Sequence, residues 1–313
     1  MLLYTLKRLL YGLVTVWFIA TATFVAMHAV PGDPLLNDKA VSGSIRQNLE
    51  KRYGLDKPLG QQYLIYIGNM LKGDFGVSYT QQNRRVNDII RDHFPISAIL
   101  GMLAISFAAL GGILWGAITA LYRNKLPDII IMFLVILGIS VPSFVFAALG
   151  QLSIIKINNF FNLSILPVAG WGGFTHMIMP ALVLGLGTMA FLVRLMRSSM
   201  LEVINSDYVR TAKAKGLSPL KIFFSHQLRN AVLPVITILG PAIAAITTGG
   251  FVVEQIFAIP GLGRYFVQAV QQSDYTVIMG TTVFYGAFLV FMVIVVDIVY
   301  GFVDPRIRVH AEG

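Results

Sequence analysis

Cysteine is absent from the 313 residues, and only 12% of them are Asp, Glu, Lys or Arg. The first absence excludes a disulfide framework, a thiolate-ligated zinc or iron–sulfur site and a thiol nucleophile. The second excludes a soluble globule and a disordered chain. A soluble domain carries about 25% charged residues, whereas this chain is 56% hydrophobic with a mean hydropathy of +0.72. No G-x-x-x-x-G-K-[ST] loop occurs, so the chain has no Walker-type cradle for nucleotide phosphates. The five histidines, at 28, 93, 176, 226 and 310, are scattered over different segments without metal-ligand spacing. No catalytic residue and no metal site is therefore expected.

Apolar runs are what the chain has in abundance. A bilayer core about 30 Å thick needs about 20 mainly apolar residues as a helix. Six runs almost free of charge approach that length: Leu9–Val30, Ile96–Tyr122, Ile129–Ile155, Met177–Val193, Val235–Val253 and Met279–Tyr300. The fold class expected is an all-α polytopic membrane protein with six transmembrane helices. The fourth run is short at 17 residues and extends past Arg194 if that side chain snorkels. The first run follows Lys7 and Arg8 and contains Ala20-Thr21-Ala22, features shared with secretory signals. Its 22 residues exceed the usual apolar region of about 7 to 15, so it is expected to be retained as a helix. Gly112 and Gly116 form a G-x-x-x-G pair, a signal for close helix contact. Within the spans, His28 sits near one end of the first and Asp297 near the end of the sixth, where it is expected to pair with Arg306, Arg308 or interfacial water. Neither is at mid-depth, where ion-coupled carriers and pumps place their charges.

The net charge of +9 would point to nucleic acid in a soluble protein, but in a membrane protein its distribution decides. With the N-terminus inside, the inner segments hold thirteen basic residues and the short outer segments two. The 65-residue segment 31–95 is set aside, because loops this long weigh little in the positive-inside rule. Both termini are thus expected in the cytoplasm. Three regions follow: 1–30, the N-terminus and first span; 31–95, an extracytoplasmic cap; and 96–313, a five-span core with a cytoplasmic loop at 199–234. In the cap, Val30-Pro31-Gly32-Asp33-Pro34, Leu55-Asp56-Lys57-Pro58-Leu59 and Gly73-Asp74-Phe75-Gly76 read as turns, with helix-like stretches at Ile45–Tyr53 and Gln61–Leu71. Between spans five and six, Pro260 and Gly261 break the helix, and an amphipathic run from Arg264 to Gln272 is expected to lie along the outer interface. Glu254, at a span border where a carboxylate reaches water, is grouped with Pro260, Gly261 and Gly263 as candidates for an outer gate.

The segment 199–234 carries the most information. Asp207 is placed to cap a helix over Tyr208–Lys215, Gly216 to end it, Ser218 to cap a second helix, and Pro219 to occupy its first position. A basic lipid-binding surface helix has the same composition, with Arg210, Lys213, Lys215 and Lys221 near the bilayer. Placement between two spans argues against a DNA-binding helix-turn-helix. A bundle with a nearly uncharged interior and no energy-coupling chemistry of its own must be driven from outside. The membrane subunit of a nucleotide-driven transporter fits this best, with an ion-coupled carrier or channel and a membrane-embedded enzyme as the competing classes.

Residues Tyr208–Ser218, continued by Leu228–Pro234, resemble the cytoplasmic EAA loop of binding-protein-dependent ABC importer permeases, in the dipeptide, oligopeptide and nickel branch. Arg210 and Thr211 stand where the general motif has Glu and its first Ala, while Ala212 and Gly216 keep register. The resemblance extends to Val30–Pro34, Gly73–Ser78, Ile259–Gly263, Asp274-Tyr275 and Val303–Arg308, which are similar to the B-type oligopeptide permeases. It implies a type I importer permease fold in a bacterial cytoplasmic membrane and alternating access as mechanism. It further implies pairing with a second related permease, two ATPase subunits on the cytoplasmic loops, and an extracytoplasmic peptide-binding protein. ATP and Mg would be used by those partners and no cofactor held by this chain, whose other contact is membrane lipid and not nucleic acid. Asp207, Tyr208, Arg210, Thr211, Ala212, Lys213, Gly216, Leu217, Ser218 and Pro219 would form the ATPase-coupling loop. Glutathione or a nickel chelate is the alternative cargo within the same family, and no substrate-contacting residue is identified.

Overall fold

Long uncharged runs propagate as helix, and helix dominates the chain. The computed structural model describes residues 2–29, 54–81, 84–162, 164 and 166–303, with the side chains of 2–5, 248–249 and 297–303 left aside. The turn at Val30–Pro34, the helix-like stretch Ile45–Tyr53, residues 304–308 of the terminal motif and the pairing of Asp297 lie outside what is described. In order, the helices are α1 (Leu2–Ala29), α2 (Leu59–Leu71), α3 (Val86–Leu121), α4 (Leu126–Ser140), α5 (Ser143–Phe161), α6 (Phe174–Ile204), α7 (Asp207–Ala214), α8 (Pro219–Ala231), α9 (Leu233–Gly249), α10 (Phe251–Ile256), α11 (Leu262–Gln271) and α12 (Tyr275–Val303). Among the described residues the sole β-type pairing is an isolated antiparallel bridge between Val77 and Arg85. Among the described residues five helices are long and apolar enough to cross a membrane, and α8 with α9, bent by 45° between them, count as a sixth only when taken together as one broken span. The chain divides into two compact units, 1–97 with 260–313 and 98–259.

In the first unit α1 packs on α12. A Cβ on Gly12 would meet Val290 and Ile294, and one on Gly286 would meet Ile19. Rising numbers on α1 face falling numbers on α12, so the two helices are antiparallel and their outermost ends lie together. An even number of passes between them follows. At the other end, Phe24, Tyr275 and Met279 form a buried cluster joined by Met27, Tyr63, Tyr66 and Tyr79. Burial raises the pKa of Tyr66, whose hydroxyl has no hydrogen-bond partner among the described residues. The expected turns are present: Gly54, Gly73 and Gly76 adopt positive φ, and Asp74 accepts from the Gly76 amide at 3.0 Å. The Gly73–Ser78 loop is held by a residue nearly two hundred positions away. The Asp274 carboxylate, 1% exposed, accepts from Ser78 Oγ, from the amides of Tyr79, Thr80 and Val277 at 3.2 Å, and from Thr80 Oγ1 at 2.9 Å.

In the second unit the glycines of α3 let it approach α6. A Cβ would come within 2.5 Å of Leu192 Cβ at Gly112 and 2.6 Å of Met196 Cβ at Gly116, as the G-x-x-x-G signal anticipates. Rising numbers on both helices coincide, so α3 and α6 are parallel and the chain between them returns once. That return is made by two helices where the sequence suggested one. Pro142 carries no amide hydrogen and pushes Val141 to φ −89°, ψ 126°, which ends α4 and starts α5. Both halves lie antiparallel along α6: Asp128 pairs with Arg197, Gly138 faces Ala190, and Gly150 faces Met179. Further differences lengthen the expected spans. The fourth runs 31 residues, because Arg197 is neutralised by Asp128 and does not end the helix. The second begins ten residues before Ile96, and the fifth is divided at Gly250 into α9 and α10.

Candidate functional site

The helix pair α7 and α8 is built from local signals. Ser206, in extended conformation, occupies the N-cap, and Asp207 is the first helical residue, so the helix starts one place earlier than expected. Ser and Asp are both good caps; the end of α6 at Ile204 settles which is used, and the Ser206 hydroxyl donates back to Val203 O at 2.6 Å. Asp207 still favours the helix start through the macrodipole. α7 stops at Gly216, whose φ of 72° suits glycine. Gly216 N donates to Lys213 O at 3.0 Å and Leu217 N to Ala212 O at 3.4 Å, the two bonds of a Schellman ending. Ser218 then caps α8 by accepting from Lys221 N at 3.4 Å, and Pro219 takes the first helical position.

Val209, Ala212 and Ile222 close a small core between the two helices, with Val203 and Leu217 packed against it. That core fixes one helix against the other. The opposite face is open: Arg210, Thr211, Lys213 and Gly216 are exposed, as are Tyr208, Leu220 and Phe224. Arg210 and Asp207 approach at 3.6 Å on this face, a solvated pair that contributes little. Tyr208 accepts from Asn230 Nδ2 at 3.1 Å, tying α7 to the far end of α8. Between them α8 widens into a π-helical turn at Phe223–Leu228, a local expansion common at functional positions. The arrangement is a rigid paired-helix knob, apolar inside, with aromatic and basic side chains outside.

The gate candidates fall in two places. Glu254, expected at a water-accessible border, is 2% exposed within the second unit, because α10 folds it inward. α10 ends earlier than Pro260: Ala258 takes a left-handed conformation, φ 53°, with Ala258 N bonded to Gln255 O and Ile259 N to Glu254 O. In the first unit, Gly261 caps α11 and Gly263 is buried in its first turn. Pro260 O lies 2.8 Å from His93 Nδ1, and Arg84 lies 3.1 Å from His93 Nε2. A guanidinium only donates, so Nε2 accepts and Nδ1 carries the proton given to Pro260. Ser97 Oγ accepts from Leu262 N at 2.9 Å, pinning the next residue.

Residues 112–309 match the family model described as the binding-protein-dependent transport system inner membrane component, and residues 1–101 match its N-terminal companion. The chain belongs to this family. It is 47% identical over 311 residues to the dipeptide transport system permease protein DppB of Bacillus subtilis, covering 99% of both chains. It is 42% identical to DppB of Lactococcus lactis and 42% identical to the oligopeptide transport system permease protein OppB of Haemophilus influenzae, each match covering 98% of this chain and all of the relative.

This family member is a multi-pass inner-membrane protein with the type I importer permease fold. Ten residues predicted for its coupling loop fall on one knob: Val209 is added to them as the buried centre, and Asn230 as the tie between helices. Periodicity on α7 could have found Val209, since it and Ala212 are three apart on one face. His93 and Ser97 were out of reach of motif reading, and the Asp274-Tyr275 motif gave no sign of what Asp274 binds. Each works through a partner distant in sequence.

Proposed function

We infer that this chain is the membrane-spanning permease subunit of an ATP-driven importer for peptides. Membership of the binding-protein-dependent family over nearly the full chain carries the reading, together with relatives that transport dipeptides and oligopeptides. The exposed α7–α8 knob is where two ATPase subunits, one on this chain and one on a second related permease, transmit their closure to the spans. Asp207, Tyr208, Arg210, Thr211, Lys213, Gly216, Ser218 and Pro219 form its working surface, supported by their exposure; Ala212 and Leu217 hold it from within. The internal core of the knob favours this over a lipid-facing linker, which would need no fixed angle between its helices. Both termini are cytoplasmic, a reading supported by the basic residues of 194–229 and by the antiparallel pairing of α1 with α12. An extracytoplasmic binding protein delivers the peptide, and the turn at Pro260–Gly263 lines the entrance. ATP and Mg are consumed by the partners, and this chain does no chemistry.

Reconstitution tests it. Liposomes holding this chain, the second permease, the ATPases and the binding protein should accumulate a labelled dipeptide only with ATP. Omission of the ATPases should abolish uptake. Uptake by the chain alone, driven by an ion gradient, would establish a carrier instead.

A further inference from the structure

At the break between α4 and α5 a cavity of about 460 Å³ opens against α6. Its volume lies in the range of small-ligand pockets. Phe146, Val183 and Phe191 supply apolar walls, and the hydroxyls of Ser143 and Thr188 line it as well. Pro142, also on the lining, cannot donate to the Gly138 carbonyl, so the helix break leaves that acceptor without its usual amide. Arg194 completes the lining.

Arg194 and Arg197 share a helix but differ in state. Arg197 makes two 2.8 Å bonds to Asp128. Arg194 is exposed and has no hydrogen-bond or ion-pair partner among the described residues. It lies ten residues before the end of α6, about 15 Å along the axis from the coupling knob. An arginine within a spanning helix faces water or a polar partner rather than lipid chains. The cavity thus offers a permanent cation, hydroxyls and a carbonyl acceptor beside aromatic walls. The end of a peptide matches that set: carboxylate to guanidinium, amide hydrogen to carbonyl, side chain to the aromatic rings. Every unmodified linear peptide carries a C-terminal carboxylate whatever its sequence, and a guanidinium grips a carboxylate bidentately.

We propose that Arg194 holds the C-terminal carboxylate of the transported peptide in this cavity during its passage. The proposal rests on the peptide-permease reading. Its test compares the complete reconstituted importer carrying Arg194, Arg194→Lys or Arg194→Gln, supplied through the same binding protein with labelled trialanine or trialanine amide. Uptake is normalised to co-purified ATPase. Arg194→Gln is expected to lower the acid-to-amide uptake ratio about tenfold or more, the loss of one charge-assisted contact, and Arg194→Lys to restore part of it. An unchanged ratio, or an equal loss for both peptides, would overturn the proposal. An equal loss that follows the anionic lipid content of the liposomes would assign Arg194 to a lipid phosphate and also overturn it. Failure of the unsubstituted importer to take up either peptide while its ATPases remain docked would refute the peptide reading itself.

Discussion

Gly216 offers the most direct test of the coupling geometry, because its substitution perturbs backbone alone. A Cβ built there meets nothing within 4 Å, so no clash inside this chain contributes. The cost is that of a left-handed conformation, φ 72°: about 1–2 kcal/mol for a residue with a β-carbon, less for Asn, which tolerates the region. β-branching puts Val at the upper end. If ATPase docking requires this turn, that strain appears in the dissociation constant, where about 1.4 kcal/mol is tenfold. Gly216→Val should weaken docking about 5- to 30-fold, Gly216→Ala less, and Gly216→Asn least. Lys213→Glu, on the solvated face, should change it by less than Gly216→Val, since an exposed charge contributes about 0–1 kcal/mol. The assay is ATPase binding to the paired permeases in nanodiscs, at equal permease content. Equal affinity across Asn, Ala and Val would refute the reasoning: either the turn relaxes freely or docking does not use it.

Gly116→Ala places a methyl against Met196 and the Val193 carbonyl, and should destabilise the α3–α6 contact by about 1–3 kcal/mol, read as a lower thermal midpoint of the purified permease. Asp128→Asn and Arg197→Gln should each cost about 1.5–3 kcal/mol, while the double variant costs clearly less than their sum; simple additivity in a double-mutant cycle would remove the pairing. Ala258→Gly relieves a left-handed alanine and should stabilise the protein by about 0.5–1 kcal/mol in the same thermal assay. Since the chain has no cysteine, single cysteines report topology directly. One at exposed Gln271 should react with an impermeant reagent from outside intact cells, and those at Asn124 and Ser218 only after permeabilisation.

Spans, caps and turns were legible in the sequence because the forces behind them are local. Twenty uncharged residues make a helix in lipid wherever they occur, and Gly216, Ser218 and Pro219 act through hydrogen bonds to neighbours within five positions. The α7–α8 knob was therefore readable almost residue by residue. The exceptions were the choice of Ser206 over Asp207 as cap and the splitting of the third span at Pro142, a local signal outweighed by the apolar run around it. Tertiary structure alone decided which distant residues meet. Asp274 with Ser78 to Thr80, Arg197 with Asp128, and His93 with Pro260 have no sequence spacing to betray them. The same holds for the burial of Glu254 and the cavity around Arg194, since a polar side chain's neighbours are set by how helices pack and not by the run that made the helix.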